Sequence, residues 1–136
     1  MCYTSGPMKV IPARYAPQLF AILRIMTGLM FMMHGTAKLF AWPNGRGPVD
    51  LASRAGIAGI IETVGGAFLV VGFLTSVTAF ICSGLMAFAY FLSHASGGFF
   101  PLVNKGELAV VYCFLFLFMS AYGPGAWSVD GRKGKR

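Results

Sequence analysis

Residues 20–40 read FAILRIMTGLMFMMHGTAKLF. The run is apolar enough to cross a bilayer, yet it carries Arg24, His34 and Lys38. At about 100° per residue, all three fall within an arc of about 80° on a helix. A charge in hydrocarbon costs at least ~2.5–3.5 kcal/mol on insertion scales, so a lipid-facing helix does not favour such a stripe. The stripe is expected to face other helices, and the rest of the chain to supply its partners.

The composition agrees with a membrane protein. Of 136 residues, 57% are hydrophobic and 11% are charged, with a mean hydropathy of +0.71. A soluble domain has about 45–50% apolar and about 25% charged residues. At about 20 residues per span, at most about five spans fit, and one domain is expected. The net charge of +7 is concentrated near the chain ends, at Lys9, Arg14, Arg132, Lys133, Lys135 and Arg136. Nucleic-acid binding needs a basic face on a soluble domain. These residues read instead as topology signals and lipid-headgroup contacts.

Cys2, Cys82 and Cys113 form no CxxC and no metal-ligand spacing. Cys82 and Cys113 read as small apolar core residues set at different depths. Cys2 lacks the apolar stretch of a lipoprotein signal, and the first span is too long for a cleavable signal peptide.

The predicted architecture is an all-α bundle of four transmembrane helices. Residues 1–16 read as a cytoplasmic lead-in, 17–130 as the membrane domain and 131–136 as a basic tail. Pro17 suits a first helical turn, and the first span runs over 17–40. A turn-rich loop follows, with Trp42 placed for an interfacial aromatic belt. The second span is 55–74, with Ala55, Gly59, Glu62 and Gly66 within an arc of about 60°. Such a small-residue face lets a neighbour approach closely, with Glu62 in its middle.

The third span is 77–93, where Ala79, Ser83, Ala87, Tyr90 and His94 share a face. After a loop at 96–105, the fourth span is 106–122, with Glu107 in its first turn, where a carboxylate favours the helix dipole. Four spans put both termini on one side, and their basic flanks predict that this side is cytoplasmic.

Depth follows from ~1.5 Å of rise per residue. His34 and Glu62 are both expected ~10 Å below the outer surface, with Lys38, Tyr90, His94 and Glu107 at or above that level. The expected site is an outward-facing half-cavity that gathers these six residues for ligand binding or proton handling. The competing reading is a structural knot that fixes helix register. Glu107 also reads as a helix cap alone, and His94 as a solvated interfacial residue. A metal site from His34, His94, Glu62 and Glu107 lacks HxxxH or ExxH spacing, so no metal is expected. Met30, Met32 and Met33 point around the helix and read as packing.

Arg24 lies in a deeper layer, ~10 Å from the inner side. The segment GPGAWSVD at 123–130 is expected to tuck back and supply it with the Asp130 carboxylate or with backbone carbonyls. Arg24, Trp127, Ser128 and Asp130 then form a structural clamp.

LRIMTGLMFMMHGTAKLF, ETVGGAFLVVGFLTSVTAF, MAFAYFLSHASGGFFPLVNKGELAVVYCFLFLF and GPGAWSVD, in this order and spacing, resemble the DoxX family of small bacterial membrane proteins. The resemblance covers residues 18–130. Arg24, His34-Gly35, Lys38, Glu62, Gly65-Gly66, Glu107 and Trp127-Ser128-Asp130 fall where the family pattern has them. It implies a four-helix bacterial inner-membrane protein and a loose link to redox chemistry, since the family is named for a subunit of a thiosulfate:quinone oxidoreductase. No flavin, haem or iron–sulfur motif is present, so no intrinsic cofactor is expected, and any electron chemistry would need a diffusible quinone or a partner subunit. On that reading Lys38 or His34 donates to a quinone oxygen, Glu62 and Glu107 tune those donors, and Tyr90 stacks or donates. The alternatives are a non-catalytic membrane subunit that anchors a soluble redox partner, and a small-solute or proton pathway. Whether the chain is an enzyme, and whether it forms a homo-oligomer, stays open.

Overall fold

The computed structural model describes residues 10–133. Expectations for Cys2, Lys9, Lys135 and Arg136, and for most of the lead-in, lie outside the described residues. The described chain is helical, with no strand. Three helical segments are long and apolar enough to cross a membrane, and a fourth apolar helix is shorter. Together they form a helical membrane bundle.

Helix α1 spans Ala16–Phe40, with Pro17 in its first turn and Ala41 closing it in the left-handed region. Its 25 residues reach about 37 Å, more than the ~30 Å hydrocarbon core. Helix α2 spans Arg54–Val71 and starts at Ser53, whose side chain accepts the Gly56 N–H at 3.0 Å. It ends at Gly72, which takes the left-handed conformation that terminates helices. Helix α3 spans Thr75–Ala89 and continues through a π turn at Tyr90–His94 and a 3-10 turn at Ala95–Gly97. The expected loop at 96–105 contains a short helix, α4, at Pro101–Asn104, and α5 follows at Glu107–Tyr122. A final short helix, α6, covers Val129–Lys133. The second span therefore stops three residues earlier than expected, at the glycine.

The four long helices meet through seams of different chemistry. α1 packs most closely on α2, and α3 on α5. The α1–α2 seam is made of glycines. A Cβ at Gly28 would lie 2.8 Å from the Gly66 carbonyl oxygen, and one at Gly35 would lie 2.6 Å from that of Gly59. Gly28 to Gly35 and Gly59 to Gly66 are each two helical turns apart, so the antiparallel helices touch backbone to backbone at two levels. Across α3 and α5, the Ser83 hydroxyl donates to the Cys113 carbonyl at 2.8 Å. α1 and α5 instead meet through aromatic side chains. Phe31 lies edge-on to Phe116 at 4.7 Å between ring centroids, and Phe20 packs on Tyr122 at 4.0 Å.

The interior is filled by Phe31, Leu69, Cys82, Phe116 and Met119, all essentially sealed from the exterior. Met26, Met30 and Met33 of α1, Phe80 and Phe88 of α3, and Phe114 and Phe118 of α5 are exposed, an apolar outer surface suited to a bilayer.

Candidate functional site

Glu62 is the sole carboxylate in the interior of any of the four long helices; Asp50 is in a loop, Glu107 opens α5 and Asp130 lies in α6. Its glycine-rich face turns it into the bundle, where it is 3% exposed. Lys38, in the last turn of α1, reaches it with Nζ 2.6 Å from Oε1. Lys38 is the more accessible residue of the two, with 33% of its side chain exposed against 4% for Glu62. The long lysine stem thus spans from the cavity mouth to the buried acid.

The pair borders a cavity of about 210 Å3 between α1, α2, α3 and α5. Phe31, Met86, Ala109 and Tyr112 form its walls, and Lys105 and His94 stand toward the loops. Two buried polar atoms on this cavity have no hydrogen-bond partner among the described residues: Glu62 Oε2 and the Tyr112 hydroxyl. Buried polar groups are nearly always paired, and an exception calls for a physical explanation. Tyr112 is held in place by stacking on Phe116 at 5.4 Å and by Phe31 at the same separation.

The other expected site residues divide. His34 borders the cavity, edge-on to Tyr112 at 6.2 Å, but it is exposed rather than interior. The reason lies in how α1 is rotated. Its buried face is centred on Phe31, Gly28 and Gly35, within about 40° of Arg24, whereas His34 lies about 80° away. An arc that wide is more than one face, so the stripe does not turn inward as a unit. His94 is half-buried at the mouth, its Nδ1 3.1 Å from the Asn104 carbonyl oxygen. The π turn widens the helix at Tyr90–His94, as such turns do at functional positions.

Tyr90 and Glu107 are not among the cavity-lining residues. The Tyr90 hydroxyl donates to the Phe99 carbonyl and accepts from Asn104 Nδ2 at 3.2 Å, so it fastens the α3–α5 connection. Asn104 completes that fastening by donating to Gly98 O at 2.7 Å and accepting from Gly106 N at 2.8 Å. Glu107 is exposed at the start of α5. Tyr112 and Lys105, which do line the cavity, are absent from the sequence expectation. Among the described residues, no three His, Cys, Asp or Glu side chains gather to hold a metal ion.

Arg24 forms a separate centre. It is fully buried. Nε donates to Leu69 O and Nη2 to Trp127 O, both at 2.9 Å, and Nη1 to Ala126 O at 3.1 Å and to Pro124 O. Backbone carbonyls therefore receive the guanidinium. The Asp130 carboxylate accepts from the N–H groups of Leu74 and Thr75 at 3.1 and 2.9 Å, capping α3. The Ser128 hydroxyl donates to Gly125 O at 2.9 Å and accepts from Gly131 N at 3.1 Å. Trp127 contributes its carbonyl while its indole is exposed. These contacts stitch residues 124–130 across α1 and the α2–α3 turn.

Comparison with known proteins places the chain among small membrane proteins. A family model described as DoxX matches residues 19–95. An uncharacterized protein of Haemophilus influenzae is 42% identical over 126 residues, covering 88% of this chain and 93% of the relative. An uncharacterized membrane protein of Mycobacterium tuberculosis is 28% identical over 157 residues, covering 100% of this chain and 88% of its own length. No solved structure matches significantly.

Proposed function

The chain belongs to the DoxX family of membrane proteins, and from that premise we propose that it binds a quinone or a similar small lipophilic ring in the cavity beside Lys38 and Glu62. One observation carries the reading: an ion pair at 2.6 Å borders a cavity with aromatic walls, inside a bundle whose outer surface is apolar. Ionisable groups inside membrane bundles mark ligand or proton sites by default. The cavity, about 210 Å3, is below the roughly 300–1,000 Å3 of drug-sized pockets. It suits one head group, with any tail lying along the helices.

When bound, a quinone supplies two-electron, two-proton chemistry. The chain's part is to hold and orient. Lys38 places a cation beside the buried carboxylate, the Tyr112 hydroxyl donates to a ring oxygen, and Phe31 and Met86 exclude water. His34, at the exposed edge, is placed to relay protons. A through-going proton pathway is less favoured, because Phe31, Leu69 and Phe116, which lie along α1, α2 and α5 between the levels of the cavity and Arg24, are apolar and at most 1% exposed. By charge bias, the termini lie on the cytoplasmic side of a bacterial inner membrane.

The test is ligand-induced stabilisation of the detergent-purified protein. A short-tailed quinone that binds the folded state raises the melting temperature in proportion to RT ln(1 + [L]/Kd). The reading predicts a saturable rise that Tyr112→Phe, which removes the donor to the ring oxygen, weakens. No rise in the wild type contradicts it.

A further inference from the structure

Glu62 Oε2 and the Tyr112 hydroxyl border one cavity, are each at least nine-tenths buried, and have no partner among the described residues. Their chemistry restricts what satisfies both. Glu62 is held against an ammonium through Oε1, and an ionised carboxylate only accepts, so Oε2 needs a donor. A phenol both donates and accepts, so Tyr112 can give its proton to an oxygen placed beside it. A ring carbonyl accepts from Tyr112 but offers Oε2 nothing. A ring hydroxyl donates to Oε2 and accepts from Tyr112 with the same oxygen.

We propose that the cavity selects a hydroxyl-bearing aromatic ring, a phenol or hydroquinone, over its carbonyl or unsubstituted counterpart, with the hydroxyl bridging Glu62 Oε2 and Tyr112. This rests on the reading that the cavity takes a lipophilic ring. Lys38 already neutralises the carboxylate, so the hydroxyl at Glu62 needs to bring no charge of its own. Phe31, Met86 and Ala109 offer the ring apolar walls. Hydrogen bonds to charged groups are the stronger kind, and leaving such an acceptor buried and unpaired carries its full desolvation penalty.

The probes are 1-naphthol, naphthalene and 1,4-naphthoquinone, measured by ligand depletion on the full chain in lipid nanodiscs, with empty nanodiscs subtracted. The expected result is 1-naphthol binding about tenfold or more tighter than either comparison compound. That preference falls several-fold in Tyr112→Phe and in Glu62→Gln. Tyr112→Phe keeps the ring stacked on Phe116 and leaves the ion pair intact, so it reports even where Glu62→Gln fails to fold. Equal binding of naphthol and naphthalene, a preference for the naphthoquinone, or a naphthol preference that survives Tyr112→Phe overturns the hydroxyl assignment and leaves the ring-binding reading standing. Binding of none of the three overturns both.

Discussion

Lys38 Nζ lies 2.6 Å from Glu62 Oε1 and ties the last turn of α1 to the middle of α2. The bond joins a residue open at the cavity mouth to one sealed inside the bundle. Removing the lysine leaves a buried carboxylate without its counter-charge, whereas removing both leaves an apolar contact. Lys38→Met is expected to destabilise the protein by about 1–3 kcal/mol, between the exposed and buried limits for ion pairs. Lys38→Met with Glu62→Leu is expected to be less destabilised than Lys38→Met alone. Thermal unfolding of the four members of this double-mutant cycle in one detergent checks both statements.

The glycine seam predicts a position-specific effect of a single methyl group. At Gly66 a Cβ would sit 2.7 Å from the Gly28 carbonyl oxygen, while at Gly84 it meets nothing within 4 Å. Gly66→Ala must push α1 and α2 apart and is expected to cost about 1–3 kcal/mol. Gly84→Ala is expected to be neutral or to stabilise by up to about 1 kcal/mol through helix propensity. Comparing the two melting temperatures separates backbone contact from propensity.

The Arg24 centre predicts a difference between side-chain types. A lysine has the charge but not the planar fork that reaches the carbonyls of Leu69, Ala126 and Trp127 together. Arg24→Lys is therefore expected to release the C-terminal segment, read as faster amide exchange and earlier protease cleavage at 123–133. Trp127→Gly keeps the carbonyl and suits the left-handed backbone, φ 53 at that position. It is expected to leave that protection in place.

Asp130 ties the C-terminal segment to the start of α3. Its carboxylate caps α3 through Leu74 and Thr75. Asp130→Ala is expected to cost about 0.5–2 kcal/mol, the range for a lost N-cap. The loss should appear as faster exchange of the amides at 74–76, with those of α5 unchanged.

Much of the bundle was readable because membrane burial leaves strong marks. Glu62 on a glycine face had to point inward, and Arg24 amid leucine and isoleucine had to find acceptors. Which acceptors it found was not readable, since a backbone carbonyl carries no sequence signature. His34 fell outside the interior because the packing of Gly28 and Gly35 against α2, rather than the polar stripe, sets the rotation of α1. Tyr112 was hidden in the uniformly apolar run CFLFLF that follows it. Its value depends on Phe31 across the α1–α5 seam and on the neighbouring Glu62, neither of which local spacing reveals. Tyr90 left the expected cluster because its hydroxyl is taken up by Phe99 and Asn104, and Glu107 because the start of α5 leaves it exposed.

The most direct test of ligand binding between the helices is native mass spectrometry of the protein released from mild detergent, with extraction and identification of bound lipophilic molecules. The account predicts one co-purifying ring compound per chain, lost in Tyr112→Phe and in Glu62→Gln while each variant remains folded. A wild-type chain that carries only lipid and takes up no added quinone or phenol would contradict it, and the Lys38–Glu62 pair would then be a structural tie between α1 and α2.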